Sequence, residues 1–317
     1  MNKNICIKQL LPFFFLLLFM AACDSGPASW VAVESPTEES LRCVWGLSGS
    51  DIFAVGGAGT IIHYDGSAWS AMDSGADVTL YRAWGPSADN VYVVGGDYSS
   101  GEGLMLHYDG SAWSTVPGME NYGMLAYVWG TSADDIFVIG TVEGLILHYD
   151  GSSWTSMESG TSQALSGIWG TSGTDVFVAG FGGTILHYDG TAWTDMDSGT
   201  TMNLNTIWGS SNTDIYAAGG DFASGNGILL HYDGTAWSEV ESFSSILFGV
   251  WGTSANDVFA VGGNLILGTP LILHFDGSTW TEMKSDTQNW ISAVWGTSPA
   301  DVYAVGGGGL ILKYAGM

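Results

Sequence analysis

Residues 41–72 read LRCVWGLSGSDIFAVGGAGTIIHYDGSAWSAM, and residues 80–116 read LYRAWGPSADNVYVVGGDYSSGEGLMLHYDGSAWSTV. The same phrase returns along the whole chain: a Trp-Gly pair, an Asp or Asn opening an apolar run, a His-Tyr-Asp-Gly segment and a second tryptophan. The first tryptophans are Trp45, Trp84, Trp129, Trp169, Trp208, Trp251 and Trp295, at separations of 39, 45, 40, 39, 43 and 44 residues. A period near forty is that of propeller repeats. The second tryptophans are Trp69, Trp113, Trp154, Trp193, Trp237 and Trp280, and Trp30 stands ahead of the first unit as a seventh copy. Of the 15 tryptophans only Trp290 falls outside the pattern.

Alternation and turn residues divide the first unit into four short strands, Leu41–Trp45, Asp51–Val55, Thr60–Tyr64 and Ala68–Met72, here called a, b, c and d. The Asp-Gly between c and d supplies a hairpin turn in which glycine takes a positive φ. Helix signals are absent beyond the first two dozen residues. A small sheet with two apolar faces is stable only between like neighbours, so the predicted fold is all-β, a seven-bladed β-propeller of four-stranded antiparallel blades. The chain ends on Leu312-Lys313-Tyr314, a strand c with no d after it, and Ser29–Val33 reads as the missing strand. The N-terminal segment is therefore expected to complete the last blade.

Lys3 and Lys8 precede an apolar run from Leu10 to Met20, followed by Ala21, Ala22 and Cys23, the pattern of a secretory signal. The Met20–Cys23 ending resembles the lipobox of bacterial lipoproteins. The resemblance implies lipidation of Cys23, with Asp24 fitting inner-membrane retention in the enterobacterial sorting pattern. The expected organisation is a signal peptide over 1–22, a short tether over 23–27 and one propeller domain over 28–317, extracytoplasmic and held to a membrane at its periplasmic face or the cell surface. Loss of Lys3 and Lys8 would take the net charge from −26 to about −28, which excludes nucleic acid as a partner and disfavours direct adhesion to an anionic bilayer. Cys43 is left without a disulfide partner and reads as a small buried filler.

The units resemble bacterial propellers built from Trp-Gly, Gly-Gly and Asp-Gly-x-x-Trp segments. Gly56-Gly57, Tyr64 and Trp69 are similar to the kelch pattern, and Tyr64-Asp65-Gly66 with Trp69 resembles the Asp-box hairpin of sialidase-like propellers. The chain departs from both: the Asp-box normally carries a residue between Asp and Gly, and Thr141 and Phe181 interrupt the paired glycine in units three and four. Such a resemblance implies the fold and says little about activity.

Every histidine occupies one slot of the repeat, as His63, His107, His148, His187, His231 and His274, and Lys313 fills the seventh. Copies spread round a ring cannot converge on one substrate or metal, so Trp45, His63, Asp65, Trp69 and their equivalents read as structural repeat residues that satisfy buried turn groups. The aspartates that open strand b and the c–d turn are read as turn caps. No cofactor or metal is expected. Calcium is the alternative in so acidic a chain, although no loop spaces Asp or Asn ligands as a calcium loop does. Catalysis is not expected either. Sialidases grip a carboxylate with three arginines, whereas only Arg42 and Arg82 occur here; a kelch-type copper oxidase needs histidines near the axis, and no nucleophile motif lies outside the repeat.

Function is therefore sought where the copies disagree. The spacing from His to the second tryptophan is always 6, so length varies mainly between strands b and c, at Gly96–Glu102, Gly220–Asn226 and Asn264–Pro270. Strand alternation puts the b–c and d–a connections on one rim, where a binding site belongs. That rim gathers Glu39, Arg42, Tyr81, Arg82, Tyr98, Tyr122, Met124, Tyr127, Asn205, Phe222, Phe248, Leu265, Leu267 and Trp290. Two arginines there would hold a carboxylate or phosphate of a partner, or else relieve repulsion with Glu39 and nearby aspartates. The aromatic and apolar members would contact peptide, protein or glycan. The reading is a monomeric, membrane-anchored binding or scaffold propeller in envelope assembly, adhesion or surface recognition. The alternative is a carbohydrate- or small-ligand-binding propeller, sialidase-like or sensory and calcium-dependent.

Overall fold

The computed structural model describes residues 29–97, 99–265 and 267–316. Seven four-stranded antiparallel sheets follow one another along the chain. Blade 1 consists of Leu41–Ser48, Asp51–Gly56, Ile61–Tyr64 and Trp69–Met72. Strand a of blades 2 to 7 runs over Thr79–Ser87, Leu125–Ser132, Leu165–Ser172, Asn203–Ser211, Ile246–Ser254 and Ile291–Ser298. Helical structure among the described residues is limited to three short 3-10 turns, Met119–Tyr122, Phe181–Gly183 and Gly307–Gly309.

Ring closure is as the sequence predicts. Ser29–Val33 pairs antiparallel with Ile311–Ala315, Ser29 opposite Ala315 and Val33 opposite Ile311. Trp30 is 2% exposed and packs against Tyr314 of the same blade and edge-on against Phe259 of blade 6, at 5.3 and 5.9 Å. A strand from one end of the chain thus completes a blade made by the other.

The core lies between blades. Seven buried clusters each draw residues from two neighbours, for example Val44, Ile52 and Ile62 of blade 1 with Tyr303, Val305 and Ile311 of blade 7. Period-2 strands with both faces apolar must be covered on both sides, which stacking supplies. The Trp-Gly pair has a specific cause. A Cβ on Gly46 would lie 2.8 Å from the indole edge of Trp295, and Gly130, Gly170, Gly209, Gly252 and Gly296 stand against the preceding blade's tryptophan in the same way. Each glycine is the seat for its neighbour's indole.

The histidines pair within their own blades. His63 Nε2 lies 2.7 Å from Asp51 Oδ1, the pairing recurs at His148–Asp135, His187–Asp175, His231–Asp214 and His274–Asp257, and His107 meets Asn90 instead. The other carboxylate oxygen commonly accepts from a Ser or Thr hydroxyl of the a–b turn, as Thr131 does to Asp135. In blade 7, Lys313 Nζ reaches Asp301 at 3.1 Å and Tyr303 Oη at 2.8 Å, doing the histidine's work with a longer arm. In the c–d turn Asp65 Oδ1 accepts from Ser67 N, Ser67 Oγ and Ala68 N, while Gly66 takes φ +91°.

Strand a of blade 1 runs three residues beyond the expected Trp45, to Ser48, and one variable loop also differs from expectation. Asn264–Pro270 is not all loop: blade 6 continues its hairpin as far as the Asn264–Thr269 pair. Asn264 Oδ1 accepts from Leu267 N and Gly268 takes φ +69°, which closes a tight turn at the tip.

Candidate binding site at the mouth of the ring

Strand a of every blade carries a β-bulge near its start. In blade 1, Leu41 faces Gly56 and Cys43 faces Val55, leaving Arg42 as an extra residue with no cross-strand partner. The equivalents are Tyr81, Ala126, Ser166, Asn205, Phe248 and Ser292. A bulge breaks the alternation and re-aims its extra side chain. All seven of these residues line one cavity of about 290 Å³ at the rim of the variable loops. Bulging brings two backbones close, and the glycine ending strand b accommodates it. A Cβ on Gly56 would lie 2.9 Å from Leu41 Cα and closer still to Ser40 O, and one on Gly219 would lie 2.7 Å from Leu204 Cα. Gly140 and Gly180 keep that position in blades 3 and 4, where Thr141 and Phe181 replace only the second glycine and themselves line the cavity.

Several bulge residues serve the ring itself. Ser166 Oγ donates to Leu204 O, Asn205 Nδ2 to Leu247 O at 2.9 Å and Ser292 Oγ to Leu41 O at 2.7 Å, each tying one blade to the next. Ala126 and Phe248 have nothing to donate. Arg42 is different: its buried Nε meets no acceptor among the described residues, and its guanidinium lies 5.0 Å over the Trp290 ring. Arg82, the residue after a bulge, donates from Nη1 to Arg42 O at 2.8 Å and Tyr81 O at 2.9 Å and lies 4.8 Å over the Tyr127 ring.

Across the cavity the wall is aromatic. Phe222 lies 6.3 Å from Phe248, and Phe248 meets Trp290 edge to face at 6.0 Å. Together with Leu265 this row descends from the exposed rim to the Arg42–Trp290 stack. Among the described residues no carboxylate, histidine or cysteine lines the cavity. Neither arginine makes an ion pair with Glu39 or any other described carboxylate.

The cavity unites Arg42, Tyr81, Arg82, Met124, Asn205, Phe222, Phe248, Leu265 and Trp290 among the residues expected from sequence. Four others are placed elsewhere, among them Glu39, which does not line the cavity. Tyr127 is one level deeper, in a channel of about 270 Å³ lined by Cys43 and all seven strand-a tryptophans; burial raises its hydroxyl pKa. Tyr122 packs on the core between blades 2 and 3 and borders a separate lateral hollow with Val142, because the 3-10 turn Met119–Tyr122 folds it back onto the ring. Leu267 is 73% exposed at the tip of the blade 6 hairpin and does not line the cavity. Tyr98 and Cys23 lie outside the described residues. Cys43 is buried with a free thiol whose pKa burial raises, in keeping with a filler. Sequence reasoning missed Ala126, Thr141, Ala164, Leu165, Ser166, Phe181 and Ser292 as lining residues. The interrupted glycine pairs pointed to Thr141 and Phe181; nothing in the sequence marked the bulges.

Among the described residues no group of three or more His, Cys, Asp or Glu is placed to hold a metal ion. The site sets two cations against an aromatic wall.

The molecule is therefore a seven-bladed β-propeller with a differentiated central mouth. No protein-family model and no curated protein matches the chain. Solved structures resemble it in fold. The chain is similar to the structure described as YCF48 bound to D1 peptide, at 18% identity and TM-score 0.71 over 93% of this chain and 97% of that one. YCF48 from Cyanidioschyzon merolae matches at 16% identity and TM-score 0.67, over 90% and 99% of the two chains. The WD40 β-propeller domain of Doa1 matches at 11% identity and TM-score 0.72, over 92% and 97%.

Proposed function

We propose that this protein is a non-catalytic binding propeller that takes a segment of a partner protein into the mouth of its ring. The observation that carries the reading is the convergence there of seven bulge residues of six kinds, including one of the two arginines of a chain with net charge −26, while the Trp-Gly, His and Asp-Gly slots of the repeat remain nearly alike. A repeat that keeps its packing and turn residues alike and varies those facing the mouth is what a recognition surface on a rigid frame requires. That a propeller of similar fold is described as bound to a peptide supports it further. All six histidines are engaged in blade-edge pairs, which leaves the mouth without a general base and supports a non-enzymatic role.

The reading places the protein outside the cytoplasm, tethered through Cys23, in envelope assembly, adhesion or surface recognition. Ser29 enters the ring beside Ala315, at the end of the near-constant turns and opposite the mouth. A tether there would hold the mouth away from the membrane.

Site-specific photocrosslinking in the native host tests this. A benzophenone side chain at Phe222 should give a discrete protein adduct, and one at Ser67, in a c–d turn on the opposite face, should not. Equal adducts from both positions, or none from Phe222, would refute a partner site at the mouth.

A further inference from the structure

The mouth is divided by chemistry. Arg42 and Arg82 stand on blades 1 and 2; Phe222, Leu265, Phe248 and Trp290 come from the sector of blades 5 to 7. The halves meet where Arg42 lies 5.0 Å over the Trp290 ring, and there the buried Arg42 Nε meets no acceptor among the described residues. Ser166, Asn205 and Ser292, by contrast, spend their donors on neighbouring blades. Building on the binding role above, we propose that the mouth recognises a single carboxylate carried directly on a bulky apolar group, whether the end of a peptide chain or a small free acid.

Each part of that description follows from the site. The anion is single because Arg82 commits Nη1 to two carbonyl oxygens and lies over Tyr127 of the deeper channel, leaving Arg42 as the guanidinium with no hydrogen-bond acceptor among the described residues. A planar carboxylate matches that fork with two parallel hydrogen bonds. A polyanion would meet the field of a strongly acidic chain. The apolar group must adjoin the carboxylate because the aromatic wall begins at the guanidinium itself. A cavity of about 290 Å³ sits at the lower end of ligand pockets, room for one large side chain with its carboxylate and not for a folded surface.

Calorimetric titration of the full chain with N-acetyltryptophan, its amide and N-acetylglycine tests the proposal. The acid should bind tenfold to a hundredfold tighter than the amide, the range of a charge-assisted hydrogen bond converted to affinity. N-acetylglycine should bind measurably worse than N-acetyltryptophan. Arg42→Gln should erase the preference for acid over amide without moving the melting temperature, Arg42→Lys should keep part of it, and Phe248→Ala should weaken acid and amide alike. Equal binding of acid and amide, or no binding of either while crosslinking from Phe222 still captures a partner, would overturn the carboxylate proposal and leave the binding role standing. Loss of the crosslink itself would overturn that role. Tripeptides ending in tryptophan separate the sources: affinity rising with length identifies a chain end, affinity independent of length a free acid, and both outcomes support carboxylate recognition.

Discussion

Replacing Trp30 by alanine should destabilise the whole ring, although Trp30 belongs to a five-residue strand at the outer edge of one blade. Its side chain is 2% exposed, packs on Tyr314 and Phe259, and shares a buried cluster with Val294, Val302 and Leu312. Truncating a buried aromatic of this size costs about 3–5 kcal/mol through lost transfer energy and the cavity left behind. For a chain of this length each kcal/mol lowers the melting temperature by roughly 2–4 °C, so the expected fall is about 6–20 °C. The indole N–H finds no hydrogen-bond partner in the structure, so Trp30→Phe forfeits only area and should recover most of the loss. Thermal unfolding followed by near-ultraviolet circular dichroism reads both variants. A melting temperature within 2 °C of wild type for Trp30→Ala would refute closure of the ring by the N-terminal strand.

Gly170→Ala places a Cβ 2.8 Å from the Trp129 indole and 2.6 Å from Asp175 O, so it should destabilise by about 1–3 kcal/mol in chemical denaturation, whereas Gly160→Ala, with open space around it, acts only through its positive φ. The c–d turn aspartates Asp65, Asp109, Asp150, Asp189, Asp233 and Asp276 are each held down to about 2, first by the hydroxyl of the following Ser or Thr and then by backbone amides. A depressed folded pKa stabilises above the unfolded value, so stability should be level down to about pH 4. It should then fall as the pH drops toward 2, and carbon-13 carboxyl titrations should show these six aspartates titrating late, with Asp97, Asp175 and Asp221 also below the usual range. Asp65→Ala and its five counterparts made together should flatten that acid limb. Lys313→His restores the slot found in the other blades and should be tolerated, while Lys313→Met strands the Asp301 carboxylate and should lower the melting temperature.

The fold was legible because its causes are local and repeated. Trp-Gly, Asp-Gly and the His slot each report a contact made seven or nearly seven times, and repetition turns a weak turn signal into a strong one. The N-terminal strand could be placed because Trp30 filled a gap in that count. The site was legible only in part, since alternation assigns a side chain to a face but cannot anticipate a bulge. Arg42, Tyr81 and Phe248 drew notice as unusual residues; Ala126, Ser166 and Ser292 did not, although the same bulge aims all of them at the cavity. Tyr122 looked like a rim residue because nothing in its sequence shows that a 3-10 turn folds it back on the core. Thr141 and Phe181 break the glycine pair at the second position, and only the structure shows that the first glycine is the one the bulge demands.

The central claim is a division of labour: the repeat is scaffold and its departures bind. Fluorine NMR of the chain labelled with 5-fluorotryptophan tests it in one spectrum, because fourteen of the 15 tryptophans belong to the repeat and Trp290 does not. With Trp290 assigned through Trp290→Phe, addition of N-acetyltryptophan or of a crosslinked partner's peptide should shift the Trp290 resonance and leave those of Trp30, Trp69 and their strand-d equivalents in place. A Trp290 signal that stays fixed while strand-d resonances move would contradict the account.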